Sequence, residues 1–441
     1  MNLPIEFKER MKSLLGEDYD AFIESFNNEP ARSFRVNKNK ISLSDWEKID
    51  NLSTKKLSYS ETAFLTETEK IGSSPFHHAG MIYSQDPAAI CPAESVDINP
   101  DWVCLDLCAA PGGKATQIKD KLGESTLLVA NEINPSRCKI LVSNIERMGI
   151  KNTVVTNRDS RYFAENFPSF FDFIMVDAPC SGEGMFRKDP EAITEWHPSS
   201  PEKCAVRQTE ILENAAEALR GGGIIVYSTC TYSVEENEKA VLAFLENHPE
   251  FSLTPVTERV EAVTEAGIGL PLARRFYPHK SKGEGQFMAV LKNNSLPSPR
   301  FLTPQKETAK NKDLIKFLEE TLVSFNKEDL ITENDKAFLL KSEYNLFKGA
   351  FLKGVTIGEI KKGYILPHHQ FFSTFGKDFK RKIELSETPE TLIKYLGGEE
   401  FETQTENGWA AVTLYGAPVG GVKVSGGRAK NHYPKGLRIM G

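Results

Sequence analysis

The 441-residue sequence contains no run of apolar residues that approaches the length of a membrane span. Its first residues, MNLPIEFKERMKSLLGEDYDAF, lack the unbroken apolar core of a signal peptide and are typical of a soluble amphipathic helix. Cysteine is scarce: seven residues, an odd number without regular spacing, argue against a disulfide framework. We therefore expect a cytoplasmic protein with reduced thiols.

An excess of positive charge is also absent. The formal net charge is −7, which argues against a uniformly basic surface for nucleic acid but leaves local basic patches possible. Apolar residues make up 40% of the chain and charged residues 26%, the composition of a soluble globular protein. The chain is too long for one ordinary domain, so we predict several domains in a monomer.

Changes in composition divide the chain into four parts. We predict an N-terminal domain at 1–80, a catalytic domain at 81–292, a linker rich in Pro, Ser, Thr and Lys at 293–312, and a C-terminal extension at 313–441. In the second part, helical patterns separate five strand candidates: WVCLDLC, TLLVANE, NTVVTN, FDFIMVD and GGIIVYSTC. This alternation predicts an α/β fold with a doubly wound, Rossmann-like parallel sheet.

A loop of small residues follows the first of these strands, in CLDLCAAPGGKATQI. Small residues let a ligand approach the backbone amides at a helix N-terminus. A phosphate-binding P-loop would need glycine at Cys108 and a hydroxyl residue at Ala115, and the dinucleotide fingerprint G-x-G-x-x-G is missing as well. The remaining ligand class is S-adenosylmethionine, whose methionine part can lie against such a loop.

Two acidic residues end the next two strands. Glu132 is placed to accept hydrogen bonds from ribose hydroxyls, and Asp159 from an adenine amino group. Either one alone is explained equally well as a solvated loop carboxylate. Together with the small-residue loop they favour a ligand site, because ligands of open α/β sheets bind at the carboxyl ends of the strands.

Cysteines follow the fourth and fifth strands, Cys180 in DAPCSG and Cys230 in YSTCTYS. The capping box from Ser233 to Glu236 predicts a helix that begins near Val234, whose N-terminal partial charge would favour a thiolate at Cys230. Cys180 precedes a glycine-rich loop, so Cys230 is the better nucleophile. A core-filling role suits the cysteines in apolar or helical patterns, namely Cys91, Cys104, Cys138 and Cys204. No second Cys or His pair stands at zinc-ligand spacing, and we predict no metal.

Four motifs carry a family resemblance. DLCAAPGGKATQ, NEINPSR, VDAPCSGEGMFRK and YSTCTYSVEENE, in this order and spacing, closely resemble the motifs of RNA cytosine-C5 methyltransferases of the Sun/Nop type. SFRVNK and GMIYSQDPAA are similar to that family too. The layout most resembles the bacterial ribosomal RNA methyltransferase F (RsmF/YebU-like) group, and GGVKVSGGRAKNHYPKGLRI resembles the end of its PUA-like RNA-binding domain.

The resemblance implies formation of 5-methylcytosine in RNA, with 16S ribosomal RNA of the small subunit as the first candidate. Cysteine addition to carbon 6 makes carbon 5 of cytosine nucleophilic, and a base must later remove the carbon 5 proton. By resemblance Cys230 is the nucleophile, Cys180 assists product release, and Asp177 and Lys114 polarise the ring of a flipped-out base. The implied cofactor positions are Cys108, Ala109, Ala110, Pro111, Gly112, Gly113, Lys114, Glu132, Arg137, Asp159 and Asp177.

Two basic segments are candidate RNA-binding surfaces. The sequence from Asn407 onward has no acidic residue, and its basic side chains, with His432 and Tyr433 between them, suit phosphate contact and base stacking; they are Lys423, Arg428, Lys430, Lys435 and Arg438. A solvated charged tail is the alternative. A second basic run predicts RNA contact near the N-terminus through Arg32 and Arg35, with Lys38 and Lys40 beside them.

Three other functions stay open. An amino-group methyltransferase would share the fold, but it would carry an Asp/Asn-Pro-Pro-aromatic tetrad where this chain has DAPC. A non-catalytic RNA-binding assembly factor would not need the two cysteines. Transfer RNA is an alternative substrate, since only the resemblance favours ribosomal RNA.

Overall fold

The structure is a computed structural model, and it describes residues 1–49, 52, 54–300, 302 and 311–439. Much of the predicted linker at 293–312 lies outside the described residues. Among the residues that are described, no helix combines the length and the apolar character that a membrane span requires.

The N-terminal part is a small antiparallel sheet with short helices. Its helices are α1 (Ile5–Leu15), α2 (Tyr19–Ser25), α3 (Leu43–Ile49) and α4 (Pro75–His78), and its strands are β1 (Ser33–Val36), β2 (Thr54–Lys56), β3 (Ala63–Thr66) and β4 (Ile82–Ser84). The strand order is β2-β3-β1-β4. Since β4 pairs with β1, this sheet continues past residue 80, where the sequence placed a domain boundary.

The central part contains all five strands that the sequence predicts. Its strands are β5 (Cys104–Asp106), β6 (Leu128–Asn131), β7 (Thr153–Thr156), β8 (Phe171–Asp177), β9 (Leu219–Thr229), β10 (Phe251–Thr254), β11 (Glu265–Gly267), β12 (Leu270–Phe276) and β13 (Gln286–Asn293). Its helices are α5 (Pro87–Glu94), α6 (Gly113–Lys121), α7 (Pro135–Met148), α8 (Arg161–Asn166), α9 (Pro190–Glu195), α10 (Ser200–Ala218), α11 (Glu238–Asn247) and α12 (Glu258–Glu261).

The described residues of the C-terminal part form two further sheets and three α-helices. Its helices are α13 (Lys312–Thr321), α14 (His369–Phe375) and α15 (Pro389–Gly397). Its strands are β14 (Leu330–Glu333), β15 (Lys336–Leu339), β16 (Leu352–Lys353), β17 (Val355–Lys361), β18 (Tyr364–Pro367), β19 (Lys382–Glu384), β20 (Phe401–Glu402), β21 (Gly408–Leu414), β22 (Ala417–Ser425) and β23 (Arg428–Asn431). The two sheets have the orders β14-β15-β17-β18 and β19-β21-β22-β23-β20.

The Rossmann-like prediction is confirmed for the heart of the main sheet. Strands β9-β8-β5-β6-β7 run parallel in that order, and buried apolar side chains cover both faces. The chain leaves β5 towards β6 and later returns to β8 on the other side of β5. This switch opens a crevice at the carboxyl ends of β5 and β8.

The edges of this sheet are antiparallel, which the sequence did not indicate. Strand β13 pairs antiparallel with β9 on one side. On the other side β16, from the C-terminal part, pairs antiparallel with β7, with Leu352 opposite Val155. The C-terminal part therefore contributes a strand to the catalytic sheet.

Two apolar contacts join the N-terminal part to its neighbours. Its sheet shares a buried cluster with the β19–β23 sheet, and the buried amine of Lys40 donates to the carbonyl of Pro418 at 2.7 Å. Helices α1 and α2 place Phe7 and Phe22 against Phe186 and Tyr232. Because Phe186 and Tyr232 lie in the loops after β8 and β9, the N-terminal helices support those loops.

Candidate active site

The small-residue loop joins the end of β5 to the start of α6. Gly112 has φ +118°, in the left-handed region, and a Cβ there would lie 3.2 Å from Leu141 Cδ1 of α7. A Cβ on Gly113 would lie 3.3 Å from the side-chain amide carbon of Gln85. Backbone conformation and close packing therefore both favour glycine in this loop.

Asp106 is the most unusual group near this loop. It is fully buried, and neither of its carboxylate oxygens has a hydrogen-bond partner among the described residues. Burial, followed by repulsion from Asp177, raises the pKa of Asp106 to about 8, and Lys114 and the nearby N–H of Cys108 offset this only in part. The carboxyl is available to a ligand that donates hydrogen bonds. Asp106 is not among the site residues predicted from the sequence, although it begins the DLCAAPGG motif.

The structure brings Glu132 and Arg137 together beside the loop. Glu132 is 3% exposed and accepts from the N–H of Asn134 at 2.9 Å. Arg137 lies 3.4 Å from the Glu132 carboxylate and donates to the carbonyl of Ala110 at 2.8 Å. Asp159 is exposed after β7 and accepts from the N–H of Arg161 at 2.9 Å. Glu132 and Asp159 therefore follow the carboxyl ends of β6 and β7, and Arg137 lies in the first turn of α7.

Asn131 ties these strand ends to each other and was not singled out from the sequence. Its amide donates to the carbonyl of Leu107 at 3.1 Å and to that of Arg158 at 2.9 Å. The exits of β5, β6 and β7 are thus fixed by one side chain. Asn131 could have been predicted from its position directly before Glu132 in the NEINPSR motif.

The two cysteines meet at the crevice. Strands β8 and β9 are parallel neighbours with Asp177 opposite Ser228, so Cys180 and Cys230 leave the sheet side by side. Their sulfur atoms are 3.3 Å apart. The hydrogen bond with Cys230, together with burial, raises the pKa of the Cys180 thiol well above its usual range. Either sulfur can donate in this contact, and the raised pKa makes Cys180 the thiol that keeps its proton.

The helix predicted after Cys230 begins later than expected, and that prediction is wrong. The N–H of Glu236 does bond to Ser233 Oγ at 3.3 Å, but 234–237 form a turn and α11 starts at Glu238. The reason is that the Glu236 side chain reaches the Cys180 loop instead of closing the capping box. A helix N-terminus is therefore not adjacent to Cys230.

Lys114 supplies the positive charge at this point instead. Its amine donates to Asp177 Oδ2 at 2.8 Å, and Ser228 Oγ donates to Asp177 Oδ1 at 2.7 Å. Burial alone would lower the pKa of Lys114, but the Asp177 carboxylate outweighs burial and, with Cys230 contributing, raises it. The Lys114 ammonium therefore stays charged near Cys230.

The prediction that Arg35 contacts RNA is wrong for this structure, because its side chain is fully buried. The guanidinium donates to Gln85 at 2.7 Å, to Asp120 at 3.0 Å, and to Thr116 and the carbonyl of Gly113 at 2.7 and 2.8 Å. The charge of Arg35 is therefore paired inside the protein, and its side chain bonds to residues at the start of α6. The neighbouring Lys40 is buried as well.

Most other predicted RNA-binding residues are exposed. In the C-terminal sheet they are Lys423, Arg428 and Lys430, and Lys435 follows the last strand. At the N-terminal end Arg32 keeps 40% of its side chain exposed. Arg438 is only partly exposed and lies near the carbonyl of Tyr433. Tyr433 is buried, so it cannot stack on a base there; Trp409, half-buried beneath the Lys423 amine at 5.4 Å, is the aromatic side chain next to the basic surface.

The parallel sheet, the small-residue loop and the acids at successive strand ends define an S-adenosylmethionine-dependent methyltransferase. Three family models match the chain: the N-terminal domain of 16S rRNA methyltransferase RsmF at 3–87, 16S rRNA methyltransferase RsmB/F at 95–292, and the methyltransferase RsmF PUA domain at 380–439. The chain belongs to the RsmB/F family of RNA methyltransferases.

Known proteins resemble the chain over nearly its whole length. Ribosomal RNA small subunit methyltransferase F of Escherichia fergusonii is 31% identical, over 98% of this chain and 95% of that one, and the protein of that name from Enterobacter sp. (strain 638) is 32% identical with the same coverage. A methyltransferase homologue from Pyrococcus horikoshii superposes with a TM-score of 0.56 at 28% identity, over 65% of this chain and 94% of that one. NSun6 from the same organism, with SFG, reaches 0.60 at 23% identity over 66% and 98%, which shows the shared fold.

The site fits the cofactor of this family, S-adenosylmethionine. The orphaned carboxyl of Asp106, at the start of the small-residue loop, offers an acceptor to an ammonium group. Glu132, held by Asn134 and Arg137, presents a buried acceptor at the next strand end. Within the described ranges, no three His, Cys, Asp or Glu side chains are grouped as metal ligands.

Proposed function

We propose that this protein methylates carbon 5 of cytosine in 16S ribosomal RNA of the small subunit, through a covalent bond between Cys230 and the base. The observation that carries the proposal is the 3.3 Å approach of the Cys180 and Cys230 sulfurs beside the Lys114–Asp177 pair. The name of the relatives, ribosomal RNA small subunit methyltransferase F, supports the choice of substrate.

The chemistry begins at Cys230. Its thiolate adds to carbon 6 of cytosine, which forms the S–C6 bond and moves the C5–C6 π electrons to carbon 5. Bound S-adenosylmethionine supplies the methyl group that carbon 5 then takes. Lys114 and Asp177, joined at 2.8 Å, lie where they can polarise the ring and balance its changing charge.

Release of the product then falls to Cys180. Loss of the carbon 5 proton to a base returns its electron pair to the C5–C6 bond and expels the Cys230 sulfur. The protonated Cys180 donates to that sulfur, which makes Cys230 a better leaving group. The two thiols thus divide attack and release between them.

The RNA would approach over two exposed basic surfaces. Near the active site, a cleft of about 410 Å³ opens between the N-terminal sheet and the loop after β8. Arg32 and Lys70 line it, and a third lining cation, Lys188, pairs with Asp86. Farther away, the β22–β23 hairpin carries exposed Lys423, Arg428 and Lys430. Positive side chains at both places suit phosphate contact. We further infer that the domains at 1–80, 81–292 and 313–441 work together as a metal-free cytoplasmic monomer.

The experiment compares single cysteine variants on 16S ribosomal RNA with labelled cofactor. We expect Cys230→Ala to lose methyl transfer, and Cys180→Ala to accumulate a methyl-labelled RNA–protein adduct that survives denaturation. Cys91→Ala, a change to a buried cysteine of α5 outside the site, is the matched control. Full activity of Cys230→Ala would overturn the proposal.

The substrate needs a separate test. Bisulfite sequencing of total RNA from cells with and without the gene should show a cytosine of 16S ribosomal RNA that loses its methyl group in the deletion. A loss confined to transfer RNA would support the alternative substrate instead, and no change in either RNA would contradict cytosine methylation.

A further inference from the structure

Behind the two thiols lies a pair of adjacent, fully buried polar residues, Glu236 and Asn237. The Glu236 carboxylate accepts from the backbone N–H of Ser181 at 2.9 Å and also from its hydroxyl. It accepts a third hydrogen bond, at 2.9 Å, from the side-chain amide of Gln208. That amide also donates to the carbonyl of Pro179 at 3.0 Å. Glu236 therefore holds the residues on both sides of Cys180.

Asn237 does the same for Cys230. Its amide nitrogen donates to the carbonyl of Thr231 at 3.0 Å, and its amide oxygen accepts from the hydroxyl of Thr229. The two loops also meet directly, since the hydroxyls of Ser181 and Thr231 are 2.8 Å apart. Neighbouring residues of one turn thus hold the flanks of both cysteines.

Burial makes these bonds hard to replace. Gln208 and Thr229 are fully buried and Thr231 is nearly so, so water has little access to compensate a lost partner. The carbonyl of Glu236 also accepts from the hydroxyl of Tyr227 at 2.6 Å, which anchors the turn to β9. The same engagement explains why α11 starts only at Glu238.

We propose that Glu236 and Asn237 are positioning residues that set the separation of the two thiols, Glu236 acting through Cys180 and Asn237 through Cys230. The inference deepens the proposed function and rests on its two cysteine roles. Neither residue touches the reacting base. Each acts on one sulfur, so loss of one residue should disturb one half of the reaction.

The test measures adduct formation and adduct release separately. Glu236→Gln keeps the shape but removes the negative charge and one of the two acceptor atoms, so Ser181 and Gln208 lose their charge-assisted hydrogen bonds. We expect release to slow about 10- to 100-fold, as for a misplaced catalytic group, so that the labelled adduct accumulates. Asn237→Ala removes the hydrogen bonds to the Thr229 hydroxyl and the Thr231 carbonyl. We expect the RNA–protein adduct to form more slowly and not to accumulate. A merely structural role would lower both rates alike in both variants.

Controls separate this inference from the proposed function. Glu235→Gln, the same change at the adjacent, more exposed carboxylate, should behave as the parent protein. If Glu236→Gln folds poorly, Ser181→Ala replaces it as a milder change. Ser181→Ala should slow adduct release in the same way, by a smaller factor. If Cys180→Ala traps no adduct, the proposed roles of the two cysteines are refuted. If Cys180→Ala traps the adduct but Glu236→Gln does not accumulate it, only the positioning role of Glu236 is refuted.

A measurement without RNA tests the geometry alone. Diamide oxidises two neighbouring thiols to a disulfide and takes up their two electrons and two protons. We expect rapid formation of the Cys180–Cys230 disulfide in the parent protein, and about tenfold slower formation in Glu236→Gln and Asn237→Ala, read by peptide mapping. Equal rates in all three proteins would overturn the inference.

Discussion

Replacement of Arg35 by glutamine distinguishes an internal role from RNA contact. The guanidinium makes four hydrogen bonds, and its partner Asp120 is almost completely buried. Removing one member of a buried ion pair leaves the other charge without compensation, which costs about 3–5 kcal/mol of unfolding free energy. Loss of the bond to Gly113 should also weaken cofactor binding by roughly tenfold or more, the equivalent of one charged hydrogen bond.

The destabilisation should depend on pH through Asp120. Burial raises the pKa of Asp120 to about 6, even though Arg35 acts to lower it. Without Arg35 the folded-state pKa should rise further above the unfolded value, so the folded protein holds a proton that the unfolded chain has lost. Stability is then lost as pH rises through that window, and the deficit should be larger at pH 8 than at pH 5.

Urea unfolding followed by tryptophan fluorescence at pH 5 and pH 8 measures these differences. Addition of Asp120→Asn to the Arg35→Gln variant should restore part of the stability at pH 8, since no charge remains buried alone. Arg32→Gln, the same kind of change at an exposed side chain, should leave the unfolding midpoint unchanged and instead reduce the salt dependence of RNA binding. A variant of Arg35 with parental stability and a shallower salt slope would refute the reasoning.

Two further substitutions test the buried carboxyl of Asp106 in the active site and the exposed amine of Lys423 on the C-terminal basic surface. Asp106 has a folded pKa of about 8, above the unfolded value, so its contribution to stability is lost as pH rises towards 8. In Asp106→Asn this decline, which runs from about pH 4 to pH 8, should disappear in urea titrations, and cofactor affinity should fall at pH 9; an unchanged decline would contradict the raised pKa. Lys423→Gln should reduce the slope of log Kd for RNA against log salt by about one at unchanged thermal stability, and an unaltered slope would exclude a phosphate contact there.

The parts of the fold that could be predicted are those determined by residues close together in the sequence. Strands β5 to β9 are short apolar runs followed by polar or small residues, and parallel strands bring their carboxyl ends to one edge. The meeting of Cys180 and Cys230 follows from that rule, because each directly follows one of two neighbouring strands. Glu132 and Asp159 are placed at the same edge for the same reason.

The errors came from partners that are distant in sequence. Arg35 stands in a basic run, and nothing nearby shows that Asp120 and Gly113 will surround it. The capping box at Ser233 is a local signal that a tertiary contact overrides, because Glu236 bonds to Ser181 instead. Strand β16 spans two residues, too few for any periodicity to show.

The pairing of β16 with β7 has a consequence for shortened forms of the protein. Strand β7 would otherwise be the rim of the catalytic sheet, with unpaired N–H and C=O groups available to another chain. Leu352 and Lys353 cover that rim, and the flanking N–H groups of Phe351 and Gly354 bond to the carbonyls of Val155 and Thr153. We therefore expect that a catalytic domain cut off before β16 would leave the edge of β7, immediately upstream of Asp159, free to pair with another chain.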